Sequence, residues 1–201
     1  MFAIGKRVLT GESLFMTAFT HTGEDPRKVS FAAPYPGKII PIDLRELGGT
    51  VICQKAAFLC AAKGVSIGIE FSRKLGRGLF GGEGFIMQKV QGEGYAFLHA
   101  GGTVIAKHLV VGEKLIVDTG CLVAFTKGVN YDIQLVKGIK NMVLGGEGLF
   151  LTTLTGPGVV WIQSLPFNRL ADRIIASVNS AKEGKEEGSI LGKVGEAVGG
   201  K

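Results

Sequence analysis

Few residues in this chain are of types and spacings that could do chemistry, and the most regular of them are acids flanked by glycine. Glu12, Glu83 and Glu147 sit in Gly11-Glu12-Ser13-Leu14-Phe15-Met16, Gly81-Gly82-Glu83-Gly84-Phe85 and Gly145-Gly146-Glu147-Gly148-Leu149. Basic residues lie ahead of each: Lys6 and Arg7, then Arg73, Lys74 and Arg77, then Lys137 and Lys140. Such a corner could face an anion, a partner protein, anionic lipid or nucleic acid. Arg73, Lys74, Arg77, Lys137, Lys140, Glu83 and Glu147 are therefore the candidate contact residues. The bland alternative is a solvated turn in which the acid pairs with its basic neighbours. Glycine-rich loops also cradle phosphate, but that use needs a helix behind the glycines. Here an apolar β-type run follows each copy, so the glycines read as turns or bulges entering a strand.

The other reactive side chains are sparse. His21, His99 and His108 show no His-x-His pair with a following acid, as a cupin-type metal site would, and no converging ligand set. The three cysteines, Cys53, Cys60 and Cys121, have no CxxC spacing and read as reduced thiols in a cytoplasmic protein. No nucleophile elbow or Ser-His-Asp pattern is present. The residues imply no catalytic centre, cofactor or metal.

The glutamates are positioned by a repeat. Gly81 recurs as Gly145, Gly92 as Gly156 and Gly94 as Gly158, each at an offset of 64. Lys63-Gly64-Val65 recurs as Lys127-Gly128-Val129 at the same offset. A degenerate third copy opens the chain: Gly11–Met16 resembles the start of 82–87, and Pro36-Gly37-Lys38-Ile39-Ile40 resembles the region after Gly101. Counting back by the same offset places Met1 inside a repeat. The organisation expected is a partial unit over 1–48, full units over 49–112 and 113–166, a helix over 167–183 and a tail over 184–201.

The repeat also serves as an internal control. Cys53, Cys60 and Cys121 correspond to Val117, Ala124 and Ala57, which marks them as small core residues. His99 corresponds to Gln163, so that position takes a neutral polar group.

Within each unit the pattern is β. TVICQKAAFLCAA, KGVSIGIEF, GFIMQKV, YAFLHA and TVIAKHL are short, rich in β-branched and aromatic residues, and punctuated by glycine. Glycine contributes 32 of 201 residues, well above the usual share, as a chain of many turns requires. Helical spacing appears only late, where Leu170, Ile174, Ile175 and Val178 fall on one face behind Pro166. The fold class is all-β: a pseudo-threefold β-sandwich with a C-terminal helix. The net charge of +6 is spread along the chain, which disfavours nucleic acid as a partner. No run of 18 apolar residues could span a bilayer as a helix.

The stretches GESLFMTAFT (11–20), GLFGGEGFIMQKVQGEGYAFLHAGG (78–102) and QSLPFNRLA (163–171) resemble the bacterial relatives of the altered-inheritance-of-mitochondria twenty-four family. The resemblance covers nearly the whole chain. It implies a sandwich akin to the tryptophan-RNA-binding attenuation protein and to double-stranded β-helices. It further implies self-association, and for the eukaryotic relative a link to mitochondrial inner-membrane organisation. It transfers no catalytic residue. Members of that family usually carry further strands ahead of the position matching Gly11, so the resemblance implies either a short variant or a start that lies further upstream. The functional expectation is a non-enzymatic, self-associating β-protein: a homo-oligomeric scaffold near a membrane surface, with no known small molecule. The alternative is a small-ligand or nucleic-acid binding module using the basic corners.

Overall fold

A computed structural model describes residues 17–73, 85–135 and 150–179. Two compact units divide the chain, Met1–Pro166 and Phe167–Lys201. In the second, residues 167–179 form a helix on which Ile174, Ile175 and Val178 are exposed. The first unit holds all the described strands.

The strands run in two matching sets. The first comprises β1 (Lys38–Asp43), β2 (Thr50–Gln54), β3 (Phe58–Ala61), β4 (Ser66–Arg73), β5 (Phe85–Gln91) and β6 (Tyr95–Ala100). The second comprises β7 (Val104–Leu109), β8 (Lys114–Asp118), β9 (Leu122–Thr126), β10 (Asn130–Leu135), β11 (Phe150–Thr155) and β12 (Gly158–Gln163). The starts of β2 and β8, of β3 and β9, and of β4 and β10 are all related by the repeat offset of 64. The antiparallel pairings correspond as well: β1·β6 with β7·β12, β2·β5 with β8·β11, β3·β6 with β9·β12, and β4·β5 with β10·β11. Even a bulge is shared, since Leu59 and Val123 are both skipped in the register against the partner strand.

TVICQKAAFLCAA, which reads as one apolar run, is interrupted. A 3-10 turn at Lys55–Ala57 separates β2 from β3, and another at Thr119–Cys121 separates β8 from β9. In the second turn the Asp118 carboxylate accepts the Gly120 N–H at 2.8 Å. In the first, Gln54 does not cap its own turn but donates its Nε2 to the Thr119 carbonyl at 2.9 Å.

One pairing joins the two sets. β2 runs antiparallel to β9, with Val51 opposite Thr126, Ile52 opposite Phe125 and Cys53 opposite Ala124. This joint makes a six-stranded sheet in the order β4-β5-β2-β9-β12-β7, flanked by three-stranded sheets β1-β6-β3 and β10-β11-β8. Side chains alternate across a strand, so one strand can feed two cores. Val51 and Cys53 enter a cluster with Ile42, Leu98 and Ala100 of the β1-β6-β3 sheet. Ile52, between them, enters the other cluster, with Ile133 and Leu154 of the β10-β11-β8 sheet. Met87, Phe125 and Val160 join the second cluster, while Val90 and Trp161 join the first. The six-stranded sheet is thus covered on both faces at its centre, and every residue of β2 and β9 is buried. Burial on both faces is why these strands read as unbroken apolar runs instead of alternating ones. The architecture is all-β, antiparallel and sandwich-like, followed by a helix.

Turn glycines fit the sheets together. Gly92, at φ 143°, donates its N–H to the Gly49 carbonyl at 3.0 Å. A Cβ at Gly92 would land on the Gly64 carbonyl oxygen, so no other residue fits there without backbone movement.

Candidate functional site

The basic corners fall mostly outside the described residues: Lys74, Arg77, Glu83, Lys137, Lys140 and Glu147 all do, as does Glu12. Arg73 is the last residue of β4, with its backbone opposite Phe85 of β5. Leu135 of β10 lies opposite Phe150 of β11 in the corresponding place. The two glycine-glutamate segments therefore link the same pair of strands in each set.

Position 99/163 shows how one site of the repeat has diverged. Gln163 is buried at the end of β12, where its Oε1 accepts the Gly101 N–H at 2.8 Å and its Nε2 donates to the Gly120 carbonyl at 3.0 Å. It thereby ties the turn after β6 to the turn before β9. His99, at the equivalent point of β6, is 2% exposed, and among the described residues neither ring nitrogen makes a hydrogen bond of good geometry, the Tyr35 backbone being the polar group beside it. Its ring packs edge-on to Tyr35, 4.3 Å between centroids. Burial draws the His99 pKa below its ordinary value, with the nearby Tyr35 backbone offsetting part of that shift. Burial thus disfavours the charged imidazolium.

Two other polar groupings are local. Asp43 accepts from Arg45 three times, from the backbone N–H at 3.0 Å, from Nε at 2.9 Å and from Nη2 at 2.6 Å. The Arg45 guanidinium beside it holds the Asp43 carboxyl down at about 2 and also lies 5.6 Å from the Tyr95 ring centroid. Glu70 stands at a bulge in β4 and approaches Lys89 Nζ at 3.9 Å.

The cysteines are free thiols. Cys53 is fully buried, and burial pushes its pKa up to about 12; burial also raises that of Cys60. A thiol reacts as the thiolate, so burial of this kind suppresses reactivity. Among the described residues no group of three His, Cys, Asp or Glu could hold a metal ion.

Sequence reasoning did not locate the open sheet edges. Among the described residues, β3 pairs only with β6 and β8 only with β11, leaving one side of each unpaired. β3 carries no charge and no proline, the devices that usually guard an open edge. On β8, Ile116 is 61% exposed. Nearby in sequence Ile105, Val110 and Val111 are 54%, 70% and 81% exposed. No alternation rule reveals this, because it depends on which strands meet.

Comparison with known proteins places the chain. The sequence pattern of the family described as Mitochondrial biogenesis AIM24 matches residues 1–165. This chain belongs to the AIM24 family. An uncharacterized protein of Streptococcus pyogenes serotype M6 is 31% identical over 171 residues, covering 84% of this chain and 66% of that protein. A crystal structure of a Streptococcus pyogenes protein from a structural genomics consortium superposes with a TM-score of 0.59 at 25% identity. That match covers 73% of this chain and 62% of the other. The chain thus spans about two thirds of the length of these two relatives. Among the described residues no helix is long and apolar enough to cross a membrane.

Proposed function

We propose that this AIM24-family chain is a non-enzymatic scaffold that works by associating with copies of itself. The observation that carries the reading is the apolar surface of β7, β8 and the turn between them. Ile105, Val110, Val111 and Ile116 are all more than half exposed along one short stretch of chain. The Lys107–Glu113 ion pair, 3.6 Å long, holds β7 against the turn leading into β8. Scattered apolar side chains are ordinary on a protein surface, but a concentration of them marks an interaction site. Burying such groups against a second copy would contribute roughly 1.5–3 kcal/mol for each large side chain fully covered.

Gel filtration with light scattering over a wide concentration range tests this. Mass should rise above that of one chain and fall on dilution. A strict monomer at the highest concentration would refute the proposal. Double substitution of Val110 and Val111 by Asp should weaken association without unfolding the protein, because both side chains already face water.

A further inference from the structure

We propose that the open edges of β3 and β8 are the two halves of one further strand joint, completed head-to-tail by a second copy of this chain. In that joint Val117 of one molecule lies opposite Cys60 of the next, Ile116 opposite Ala61, and Leu115 opposite Ala62. The inference deepens the self-association reading and rests on it.

The template is the β2·β9 joint inside the chain. The repeat offset carries the start of β2 onto the start of β8, and the start of β3 onto the start of β9. An unpaired β8 therefore has the strand geometry of β2, and an unpaired β3 has that of β9. Carrying the observed register across gives the proposed one: Val51 opposite Thr126 becomes Leu115 opposite Ala62, and Cys53 opposite Ala124 becomes Val117 opposite Cys60.

Burial shows what the equivalent positions lack. In the existing joint Cys53, Ala124 and Phe125 are fully buried and Ile52 is 5% exposed. At the matching positions Ile116 is 61% exposed, Ala62 is exposed, and Val117, Cys60 and Ala61 are half-buried. Apolar side chains of the right kind stand on both edges, and each lacks the strand that covers its counterpart. Among the described residues the two edges do not pair with each other. The operation that relates the two sets of strands is therefore not a closed twofold, and the joint needs another molecule. An interface made from two different patches is heterologous, so it propagates until the rotation closes a ring or else continues as a fibre. Main-chain hydrogen bonds supply the affinity in such strand addition, and the side-chain register supplies the selectivity.

The test uses the existing Cys60. In a Cys121→Ser background, Val117→Cys places a second thiol at the position proposed to oppose it. Directly opposed residues of an antiparallel pair have Cα atoms about 4.5–5.5 Å apart, within the span a disulfide bridges. Mild oxidation of the full chain should give covalent dimers and higher species on a non-reducing gel, and adding Cys60→Ser should abolish them. A disulfide formed within one chain, seen as a faster-migrating monomer, would overturn the second copy as the occupant. An oligomer in solution that yields no cross-link would overturn these edges while leaving self-association intact. A chain that never exceeds one subunit in mass would sink both. Ile116→Arg provides a measurement independent of cysteine folding: the sedimenting mass should fall toward one subunit, and an unchanged mass would count against the joint.

Discussion

Replacing Gln163 by Leu should cost far more stability than replacing His99 by Leu, although both sit at the same point of the repeat. Gln163→Leu keeps the approximate volume and removes the side chain that bridges two buried backbone groups. The Gly101 N–H and the Gly120 carbonyl, 2.8 and 3.0 Å from the Gln163 side chain, are then left unpaired in buried turns. A buried polar group without a partner costs about 1–3 kcal/mol, so leaving two of them unpaired should cost about 2–6 kcal/mol. His99→Leu removes two ring nitrogens that make no hydrogen bond of good geometry among the described residues. It loses at most the Tyr35 backbone contact, so the same bookkeeping predicts a change within roughly 1 kcal/mol of zero. Urea unfolding can be followed by the fluorescence of Trp161, which is 9% exposed and the chain's sole tryptophan. With a slope of about 2 kcal/mol per molar, Gln163→Leu should lower the midpoint by roughly 1–3 M while His99→Leu leaves it nearly unchanged. Equal losses in the two variants would show that the hydrogen-bond accounting is wrong and that shape alone governs the site.

Stability should also depend on pH through His99. Its folded pKa lies below the ordinary value, so the unfolded chain takes up the proton first. The contribution is complete above about 6.5 and falls as pH drops below it, down to the folded pKa. His99→Leu should flatten thermal stability across that window, and an identical pH profile in the variant would contradict the reading. Phe125→Ala opens a fully buried site in the joint between the two sets and should cost about 3–5 kcal/mol by chemical denaturation. Gly92→Ala drives a Cβ into the Gly64 carbonyl at a positive φ, and soluble yield and melting temperature should both drop. Cys53 should stay unmodified by a thiol reagent at neutral pH until the protein is unfolded, since burial holds its pKa near 12.

Much of the sheet content was legible before any coordinates. The offset of 64 that relates Gly81 to Gly145 reappears in the starts of β2 and β8 and of β3 and β9. GFIMQKV became β5, which feeds both cores through Phe85, Met87 and Val90, and YAFLHA became β6, whose Ala96, Leu98 and Ala100 alternate into one of them. The turn inside TVICQKAAFLCAA was not legible. Its counterpart, Asp118-Thr119-Gly120, has ordinary turn chemistry, but Gln54-Lys55-Ala56 has none, and the Gln54 amide is satisfied by Thr119 from the other set. Comparing the copies identified position 99/163 as neutral and polar. It could not show that Gln163 bridges two turns while His99 bridges nothing, because the partners, Gly101 and Gly120, are brought there by folding. The corners carrying Glu83 and Glu147 lie outside the described residues, so that reading of the site stays with the sequence. The β3 and β8 edges were invisible because a strand's own residues do not state which neighbour it lacks.

The β2·β9 joint has a further consequence, for how the molecule is made. Val51 and Thr126 meet across more than a third of the chain's length, whereas β4 pairs with β5 and β10 with β11, partners adjacent in chain order. Contacts distant in sequence form late, because the chain must close a long loop before gaining anything from them. While a refolding chain waits for that closure, β2 and β9 stand as bare as β3 and β8. At that stage β2 of one molecule matches β9 of another as well as it matches its own. The yield of correctly folded protein is then decided by a race. Loop closure runs at a rate independent of concentration, and exchange of halves between molecules accelerates as the chains are crowded together.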